Sequence, residues 1–294
     1  MTLQTAIIGY PRKGENFTLS GGDWTTRYPL SNALLDEYAR VARSASLDYA
    51  DTVIVGNSTN VHPIRMFGIA AHNMTLEATY RLRLYDNTNS PSTLLYDSGI
   101  QLVWPATYTY EGRQWDTDNF WTGQYSEGEL SGQISFCPIL LDTDYLCDHF
   151  VLELFDENNA AGFIDVGLLE IASGWQLSVN PEIGANYGYR YFTITTDLPG
   201  GLKRHDPYPP SYIFEGSIPY MDRQEVQNNA MELWRQYGVH RPFMWMPHPD
   251  NPESWLKNSK MVNLVDPGLF AYAVSNADGE DSDSMPLKLE EYKG

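Results

Sequence analysis

The chain has 294 residues, a length typical of about two domains, and 42% of them are hydrophobic, which supports sizeable cores. Its 38 acidic residues outnumber 19 basic ones, and the formal charge of −19 argues against specific binding to nucleic acid, whose phosphates such a surface repels. No apolar run approaches the roughly 18 residues of a membrane-spanning helix. The N-terminus lacks the pattern of a secretory signal, so we expect the chain to stay in a cytoplasm unless other machinery exports it.

Cys137 and Cys147 are the only cysteines. Two cysteines cannot hold together a chain of this length, so free thiols are favoured over a disulfide. They are also too few for a zinc or iron–sulfur site built from cysteine alone. We therefore expect no bound metal and no cofactor.

The first part of the chain predicts an all-β unit, after a helical turn that Ser31 is expected to cap. Thr79–Tyr85 alternates like a half-buried strand, with Leu82 and Leu84 on one side. Similar segments recur with turn signals about every 8–12 residues, which is typical of a β-sandwich. The predicted strands are Tyr49–Val55, Arg65–Ala71, Thr79–Tyr85, Leu94–Tyr96, Ile100–Val103, Phe150–Phe155 and Phe163–Ile171.

A long aromatic loop interrupts these strands at residues 104–132. Connections longer than about 12–15 residues are uncommon and are generally functional or ordered by a partner. The aromatic side chains suit a contact with another subunit or the faces of sugars, and local packing is a third possibility. The candidate residues for a subunit or glycan contact are Trp104, Tyr108, Tyr110, Trp115, Phe120, Trp121 and Tyr125.

The strand Phe163–Ile171 is predicted to close the first unit, because a turn of small residues follows it. Trp175 comes next, and Asn180 with Pro181 marks another turn. We therefore place a β-sandwich domain at residues 1–174. Trp175, Asn180 and Pro181 form a hinge that we expect to fix how this domain sits on the rest of the chain.

The remainder, residues 175–294, predicts a smaller α+β domain of antiparallel strands with one helix. The helix extends over Met221–Gly238, with Asp222 as its N-cap and Glu225 in the position of a capping box. Its apolar side chains recur on one face, and Gly238 ends it. The predicted strands are Gly188–Thr196, Ser211–Ile218, Phe243–Met246, Lys260–Val265, Phe270–Val274 and Pro286–Tyr292.

This pattern resembles the galactose-binding-like jelly roll in tail proteins of long-tailed bacteriophages. The segments that carry the resemblance are Pro63–Met74, Tyr80–Leu84, Leu95–Gly99, Trp104-Pro105 and the closing strand with Trp175. The later domain, with its helix beginning at Asp222 and a Pro-Asp-Asn-Pro loop at Pro249–Pro252, resembles the module that follows the jelly roll there. The resemblance covers nearly the whole chain, from about Phe17 to Tyr292.

The resemblance implies a minor or distal tail protein that forms a ring, expected to be a hexamer, joining the tail tube to the tip or baseplate. The implied partners are copies of the chain, the tail tube, the tape-measure protein and the hub or baseplate proteins. Such a protein is assembled in the host cytoplasm, belongs to the virion and does not insert into a membrane. The charge of −19 suggests that DNA passes through the ring without specific binding. The alternative is a carbohydrate-binding adhesin that contacts a host surface glycan through the jelly roll.

Other polar residues are better explained without a site. His72-Asn73 suits a sugar- or metal-binding edge, but polar side chains that hold a turn explain it equally simply. The acidic residues lack the spacing of an EF-hand, and the histidines lack the i, i+4 pairing of a helical metal site. These acids and histidines are Asp142, Asp144, Asp148, Asp156, Glu157, the loop 278–283, and His205, His240 and His248 with Asp206 and Asp250. No nucleophile elbow, phosphate loop or catalytic Cys–His signature is present, so no enzyme is predicted.

Overall fold

The structure is a computed structural model, which describes residues 5–88, 92–108, 115, 119–130, 132–199, 201–275 and 281–294. The strands up to the middle of the chain are β1 (Ile7–Ile8), β2 (Thr18–Ser20), β3 (Ala42–Arg43), β4 (Ile54–Ala70), β5 (Thr79–Asp86), β6 (Thr93–Asp97), β7 (Gln101–Leu102), β8 (Phe136–Phe155), β9 (Asp165–Val166) and β10 (Leu168–Ala172). The later strands are β11 (Trp175–Gln176), β12 (Asn186–Arg190), β13 (Ile194–Asp197), β14 (Lys203–Asp206), β15 (Ser211–Asp222), β16 (Phe243–Met246), β17 (Lys260–Leu264), β18 (Ala271–Ser275) and β19 (Asp281–Glu291). The helices are α1 (Tyr49–Thr52), α2 (Glu127–Leu130), α3 (Arg223–Glu225), α4 (Met231–Tyr237) and α5 (Trp255–Asn258).

The first large sheet has the order β10-β4-β8-β5-β6, with β2 beside β4 and β7 beside β5. The long strands β4 and β8 are antiparallel, but their register shifts between Asn57 and His62 and again between Ile64 and Met66. Side chains from both ends of β4, such as Ile54 and Ile69, lie in one core. The bent sheet therefore closes over itself as a β-sandwich, and the predicted mainly β, antiparallel fold class is confirmed.

The predicted single strand Phe163–Ile171 is wrong, because the strand breaks at Gly167. The Gly167 N–H donates to the carbonyl of Ala71 at 3.2 Å. A Cβ on Gly167 would lie 2.7 Å from the Cβ of Ala71, so only glycine fits this close approach. The break reverses the alternation, and both Val166 before it and Leu169 after it face the sandwich core.

The second large sheet has the order β11-β1-β16-β17-β19-β15-β12, with β18 beside β19. Its strand β1 lies between two strands of the later chain, and Ile8 pairs with Trp175 on one side and Trp245 on the other. The predicted domain 1–174 therefore gives its first strand to the sheet of residues 175–294. The boundary after residue 174 stays a prediction.

A third apolar cluster joins the two sheets. Successive side chains of a strand face opposite sides, so β4 and β10 bury one set in the sandwich core and another against the second sheet. This cluster is formed by Ile7, Tyr38, Met66, Ala70, Phe136, Leu168, Ala172, Met244, Met246 and Met261. The sandwich and the second sheet are thus packed together through a continuous buried layer.

The main helix is continuous from α3 through a π-helical turn at Val226–Ala230 into α4. Asp222 caps it as predicted, because its carboxylate accepts two backbone N–H groups of the first turn at 2.7 and 3.2 Å. Gly238 ends it with a φ of +50°. The predicted capping box is wrong, because the Glu225 carboxylate accepts the indole N–H of Trp175 at 2.9 Å instead of turning back to the cap.

Two further local predictions need correction. The segment Tyr49–Val55 is the short helix α1 followed by the start of β4. The turn near residue 31 is a 3₁₀ helix at Leu30–Leu34, and no side chain caps it, so Ser31 is not a cap. Cys137 and Cys147 are both buried free thiols. Within the described ranges, no helix is long and apolar enough to cross a membrane.

Candidate functional site

The most prominent depression lies where β12 and the C-terminal segment meet the end of the aromatic loop. It consists of three adjoining cavities of about 600, 250 and 450 Å³, and Gln133 lines all three. We call it the tyrosine groove; the side chains that line it include Tyr108, Tyr125, Glu129, Gln133, Tyr187, Tyr189, Tyr191, Phe192, Tyr208, Lys257, Lys260, Glu291 and Lys293.

One wall of the groove is the edge strand β12, whose one partner among the described strands is β15. Tyr187 and Tyr189 are two residues apart, so the pleat of the strand puts both rings on the same face. They remain 75% and 50% exposed. Tyr189 packs edge to face on Tyr212 with centroids 6.2 Å apart, which holds its ring upright beside the groove. The wall therefore presents aromatic faces to solvent at fixed positions.

The opposite wall comes from the end of the aromatic loop. Tyr108 and Tyr125 meet edge to face with centroids 6.0 Å apart. Burial and the nearby Glu129 carboxylate raise the pKa of Tyr108 to about 12, so its hydroxyl stays protonated and donates to Glu129. Glu129 also accepts the N–H and the hydroxyl of Ser126, and these hydrogen bonds lower its pKa. Glu129 is therefore an ionised anchor for this wall.

Three of the six lysines of the chain line the tyrosine groove. The Lys257 ammonium lies 4.0 Å from the ring centroid of Tyr108, and that of Lys293 lies 5.2 Å from the ring of Phe192. Lys260 is only 6% exposed. Among the described residues, none of the three has a carboxylate oxygen within 4.0 Å, whereas Lys203 and Lys288 do. The groove thus gathers half of the lysines of a strongly anionic protein beside two carboxylates, Glu129 and Glu291.

The predicted aromatic candidates do not gather at one site. Tyr108 and Tyr125 line the groove, whereas Trp104 is 6% exposed and its indole donates to the carbonyl of Met74, so it packs locally. Trp115 and Trp121 are 83% and 86% exposed. Phe120 packs edge to face on Trp121 at 5.0 Å, and Tyr110 lies outside the described residues. A glycan or subunit contact by these residues stays a prediction.

The predicted hinge residues connect several segments. Trp175 is 8% exposed and lies in β11, where it pairs with Ile8 and donates to Glu225. The side-chain oxygen of Asn180 accepts the N–H of Ala6 at 3.0 Å. Pro181 follows Asn180 outside any strand. These contacts tie β11 to the N-terminal strand and the main helix, and the hinge role itself stays a prediction.

His72 and Asn73 are held in a turn, as the simpler interpretation proposed. The Asn73 amide donates to the carbonyl of Phe163 at 3.0 Å, and its oxygen accepts the N–H of Asp165 at 2.7 Å. His72 is buried, and burial lowers its pKa to about 3, so the ring is neutral. Its ring lies against that of Trp104 with centroids 5.3 Å apart.

The acidic residues and histidines for which the sequence predicts no site are dispersed over the structure. Asp156 accepts the hydroxyl of Thr75 and the amide of Asn159, and Asp142 accepts the hydroxyl of Tyr145. Among the residues that the structure describes, no three His, Cys, Asp or Glu side chains are grouped to hold a metal ion. Residues 278–280 of the acidic loop lie outside the described part.

Sequence reasoning missed the tyrosine groove, because its residues come from five separate segments. The one local signal was the spacing of Tyr187, Tyr189 and Tyr191, which repeats with the period of a strand. The structure places Tyr187 and Tyr189 on one face of the edge strand β12 and Tyr191 directly after it, and all three are at least half exposed.

No protein-family model and no curated protein matches the chain. Among solved structures, the family 32 carbohydrate-binding module of Clostridium perfringens NanJ in complex with galactose is 12% identical, covering 57% of this chain and 98% of its own, with a TM-score of 0.34. A family 32 module from a family 31 glycoside hydrolase of Clostridium perfringens is 7% identical over 54% of this chain and 95% of its own, with a TM-score of 0.34. The receptor-binding domain of the botulinum neurotoxin C/D mosaic serotype is 8% identical over 99% of this chain and 97% of its own, with a TM-score of 0.26. Sequence identities and TM-scores this low do not assign the chain to a family.

Proposed function

We propose that the tyrosine groove binds a carbohydrate chain. The observation that carries this proposal is the pair of exposed tyrosine rings on β12, which line adjoining cavities together with polar side chains. The C–H faces of sugar rings pack on aromatic rings, and their hydroxyls need donors and acceptors nearby. Gln133, Glu129 and Glu291 supply acceptors beside the rings, and the lysines supply donors. Three adjoining cavities suit several linked sugars better than one small molecule.

The groove supports binding without turnover. A glycosidase needs a carboxylic acid with a raised pKa to protonate the leaving oxygen, beside a second carboxylate. Glu129 has a lowered pKa and accepts several hydrogen bonds, so it is ionised and held in place. Glu291 is engaged by the backbone N–H of Tyr212 at 3.0 Å. Neither carboxylate has the environment of a general acid.

The test is a screen of soluble and immobilised oligosaccharides, followed by calorimetry on those that bind. Tyr187→Ala combined with Tyr189→Ala should lower affinity at least about tenfold, because it removes the stacking surface. Tyr272→Ala is the matched control, since Tyr272 is 84% exposed on β18, outside the groove. Absence of binding to any glycan at millimolar concentration would contradict the proposal, and release of reducing sugar would contradict the absence of turnover.

A second candidate function is assembly with copies of the chain, as in the ring of a phage tail tip. The observation that favours it is the hairpin of β13 and β14, which pairs with no other strand in the described part of the chain. Ile194, Leu198 and Leu202 are 54%, 42% and 67% exposed there. An isolated two-stranded hairpin is marginally stable in water, so a cover from outside would stabilise it. Its two acidic and two basic side chains, Asp197, Lys203, Arg204 and Asp206, pair within the hairpin, so its edge has no net charge that would repel a second copy.

This second candidate includes the hexameric ring at a tail tip, partners in the tail tube, tape-measure and baseplate, assembly in the host cytoplasm and passage of DNA without specific binding. Native mass spectrometry tests it. We expect defined oligomers that Leu202→Asp dissociates without unfolding, because Leu202 is exposed in the single chain. A monomer at every concentration, absent from phage particles, would contradict this candidate and leave the carbohydrate proposal intact.

A further inference from the structure

An inner cavity of about 250 Å³ opens off the tyrosine groove. Gln133 and Lys260 line both this cavity and the middle part of the groove. Its other walls include the rings of His72, Trp104 and Phe136. The cavity is therefore a partly aromatic pocket that adjoins the groove.

His72 lines this cavity and carries a hydrogen-bond donor without a partner in the described part of the chain. The Ser135 hydroxyl accepts the N–H of His72 at 2.7 Å and donates to its carbonyl, which fixes the backbone. The Nδ1 of His72 accepts the N–H of Met74 at 3.3 Å, so the proton of the neutral ring is on Nε2. Nε2 is buried and has no hydrogen-bond partner among the described residues. This N–H is therefore a free hydrogen-bond donor.

Lys260 supplies a positive charge at the same place. Its side chain lies on β17, and its ammonium has one long hydrogen bond, 3.4 Å to the carbonyl of Leu256. Burial lowers its pKa, and the charge of Glu291 opposes that shift. A buried ammonium normally has a counter-ion, but no carboxylate oxygen in the described part of the chain lies within 4.0 Å of it.

Several other polar side chains of the cavity are already engaged. Both ends of the Asn73 amide and the hydroxyl of Ser135 have partners in the turn, and the Gln133 amide N–H donates to the carbonyl of Glu129. Gln133, with its amide oxygen, and Tyr125, with its hydroxyl, line the cavity as well. Within the described ranges, the fold leaves two of the donors, the His72 Nε2–H and the Lys260 ammonium, without a full set of partners. A ligand that satisfies them has to bring acceptors and a negative charge, and the aromatic walls suit a ring that carries this charge.

We propose that the inner cavity receives the carboxylate of an acidic sugar, while the rest of the glycan lies along the tyrosine groove. One carboxylate oxygen accepts from the Lys260 ammonium and the other from His72 Nε2–H. This inference rests on the proposed carbohydrate function and narrows it to glycans that contain uronic or nonulosonic acids. The three lysines give an anionic glycan a local attraction that the overall charge of −19 otherwise opposes.

The experiment measures binding by calorimetry to oligogalacturonate, oligoalginate, hyaluronan oligosaccharides and sialyllactose, each compared with its carboxyl-reduced neutral form. We expect the best acidic probe to bind ~10–100-fold more tightly than its reduced form, the usual effect of a hydrogen-bonded charge. Lys260→Met should lower affinity for the acidic probe to that of the reduced probe and leave the reduced probe unaffected. Lys288→Met is the matched control, because Lys288 is a half-exposed lysine that pairs with Asp266.

The outcomes separate this inference from the function on which it rests. Equal affinity for acidic and reduced probes overturns the carboxylate subsite and leaves carbohydrate binding standing, whereas no binding of either form overturns carbohydrate binding itself. Sulfated oligosaccharides form a third arm, and a preference for sulfate over carboxylate also overturns the inference. If Lys260→Met does not fold, as judged by circular dichroism, His72→Phe gives the same comparison by removing the second donor while keeping the ring.

Discussion

The aromatic residues at the two edges of the second sheet differ in their exposure to solvent. At one edge, Trp175 of β11 is 8% exposed and donates its indole N–H to Glu225. At the other edge, Tyr187 of β12 is 75% exposed. The side chain of Gln176, beside Trp175, accepts a hydrogen bond from Arg65 of the sandwich at 2.9 Å. The β11 edge, which we call the joint, is therefore bound to other parts of the chain, whereas the β12 edge leaves its aromatic rings exposed to solvent.

The joint is also where the protein buries charge. Arg12 follows β1, and its side chain is 3% exposed; Glu170 of β10 is fully buried, with a carboxylate oxygen 3.0 Å from Arg12 Nε. Arg12 also pairs with Asp36, and its backbone N–H donates to the hydroxyl of Tyr237 at 2.9 Å. Buried charges persist only when they are paired, and here the Arg12 cation lies between the carboxylates of Glu170 and Asp36.

Breaking that pair should have the largest effect on stability. Arg12→Met at pH 8 leaves Glu170 buried without its cation, and we expect a loss of about 3–5 kcal/mol in the free energy of unfolding. Chemical denaturation measures it. The double variant Arg12→Met with Glu170→Gln should recover most of the loss, because no buried charge then remains unpaired. A single variant within about 0.5 kcal/mol of the wild type would show that the joint does not depend on the pair.

Trp175→Ala tests the joint through packing. Removing a buried Trp costs about 3–5 kcal/mol where the cavity cannot collapse, and here the Glu225 carboxylate also loses a donor. At the edge of the sheet, we expect about 3 kcal/mol and a looser orientation of the two parts, each still folded. Small-angle scattering with thermal melting measures both. Two independent transitions in the wild type, unchanged in the variant, would argue against a fixed joint.

The buried Glu170 near the β11 edge should also make the stability of the protein depend on pH. Burial raises the pKa of Glu170 from its usual value of 4.5 to about 7, with Asp36 adding to the shift and Arg12 opposing it. Between these values the folded protein holds a proton that the unfolded chain has lost, so this contribution is full below pH 4.5 and disappears as the pH rises through 7. The change is at most ~3 kcal/mol. Glu170→Gln should remove this slope from denaturation curves, and an unchanged slope would assign it to other groups.

Two features that depend on residues close together in the chain were predicted correctly, whereas two that depend on distant residues were not. The Asp222 cap and the Gly238 end were predictable, because both depend on residues within one helical turn. The partner of Glu225 was not, because it lies 50 residues away at Trp175. The two-residue strand Ile7–Ile8 is too short to show a period, and only its neighbours in the second sheet make it a strand.

The candidate site shows the same limit more strongly. The aromatic loop was recognised from its composition, and Tyr108 and Tyr125 do reach the groove. Composition alone cannot tell a buried Trp104 from an exposed Trp121, because burial depends on distant contacts such as the carbonyl of Met74 that accepts the Trp104 indole N–H. Lys260 was seen only as the first residue of a strand. Its importance comes from the distant His72, which the fold brings to the same cavity.

The smallest expected effect on stability comes from the β12 edge. Tyr187→Ala removes a ring that is 75% exposed, so we expect the free energy of unfolding to change by less than about 0.5 kcal/mol. The same variant should weaken glycan binding, because the exposed ring is available to pack on a sugar. Trp175→Ala should give the opposite result, a large loss of stability. Comparing the two variants therefore separates the aromatic residues of this sheet that stabilise the fold from those that are available to a ligand. A loss of more than about 1 kcal/mol from Tyr187→Ala would mean that the β12 edge is packed within the folded chain, and the groove would then lose its claim to be a binding surface.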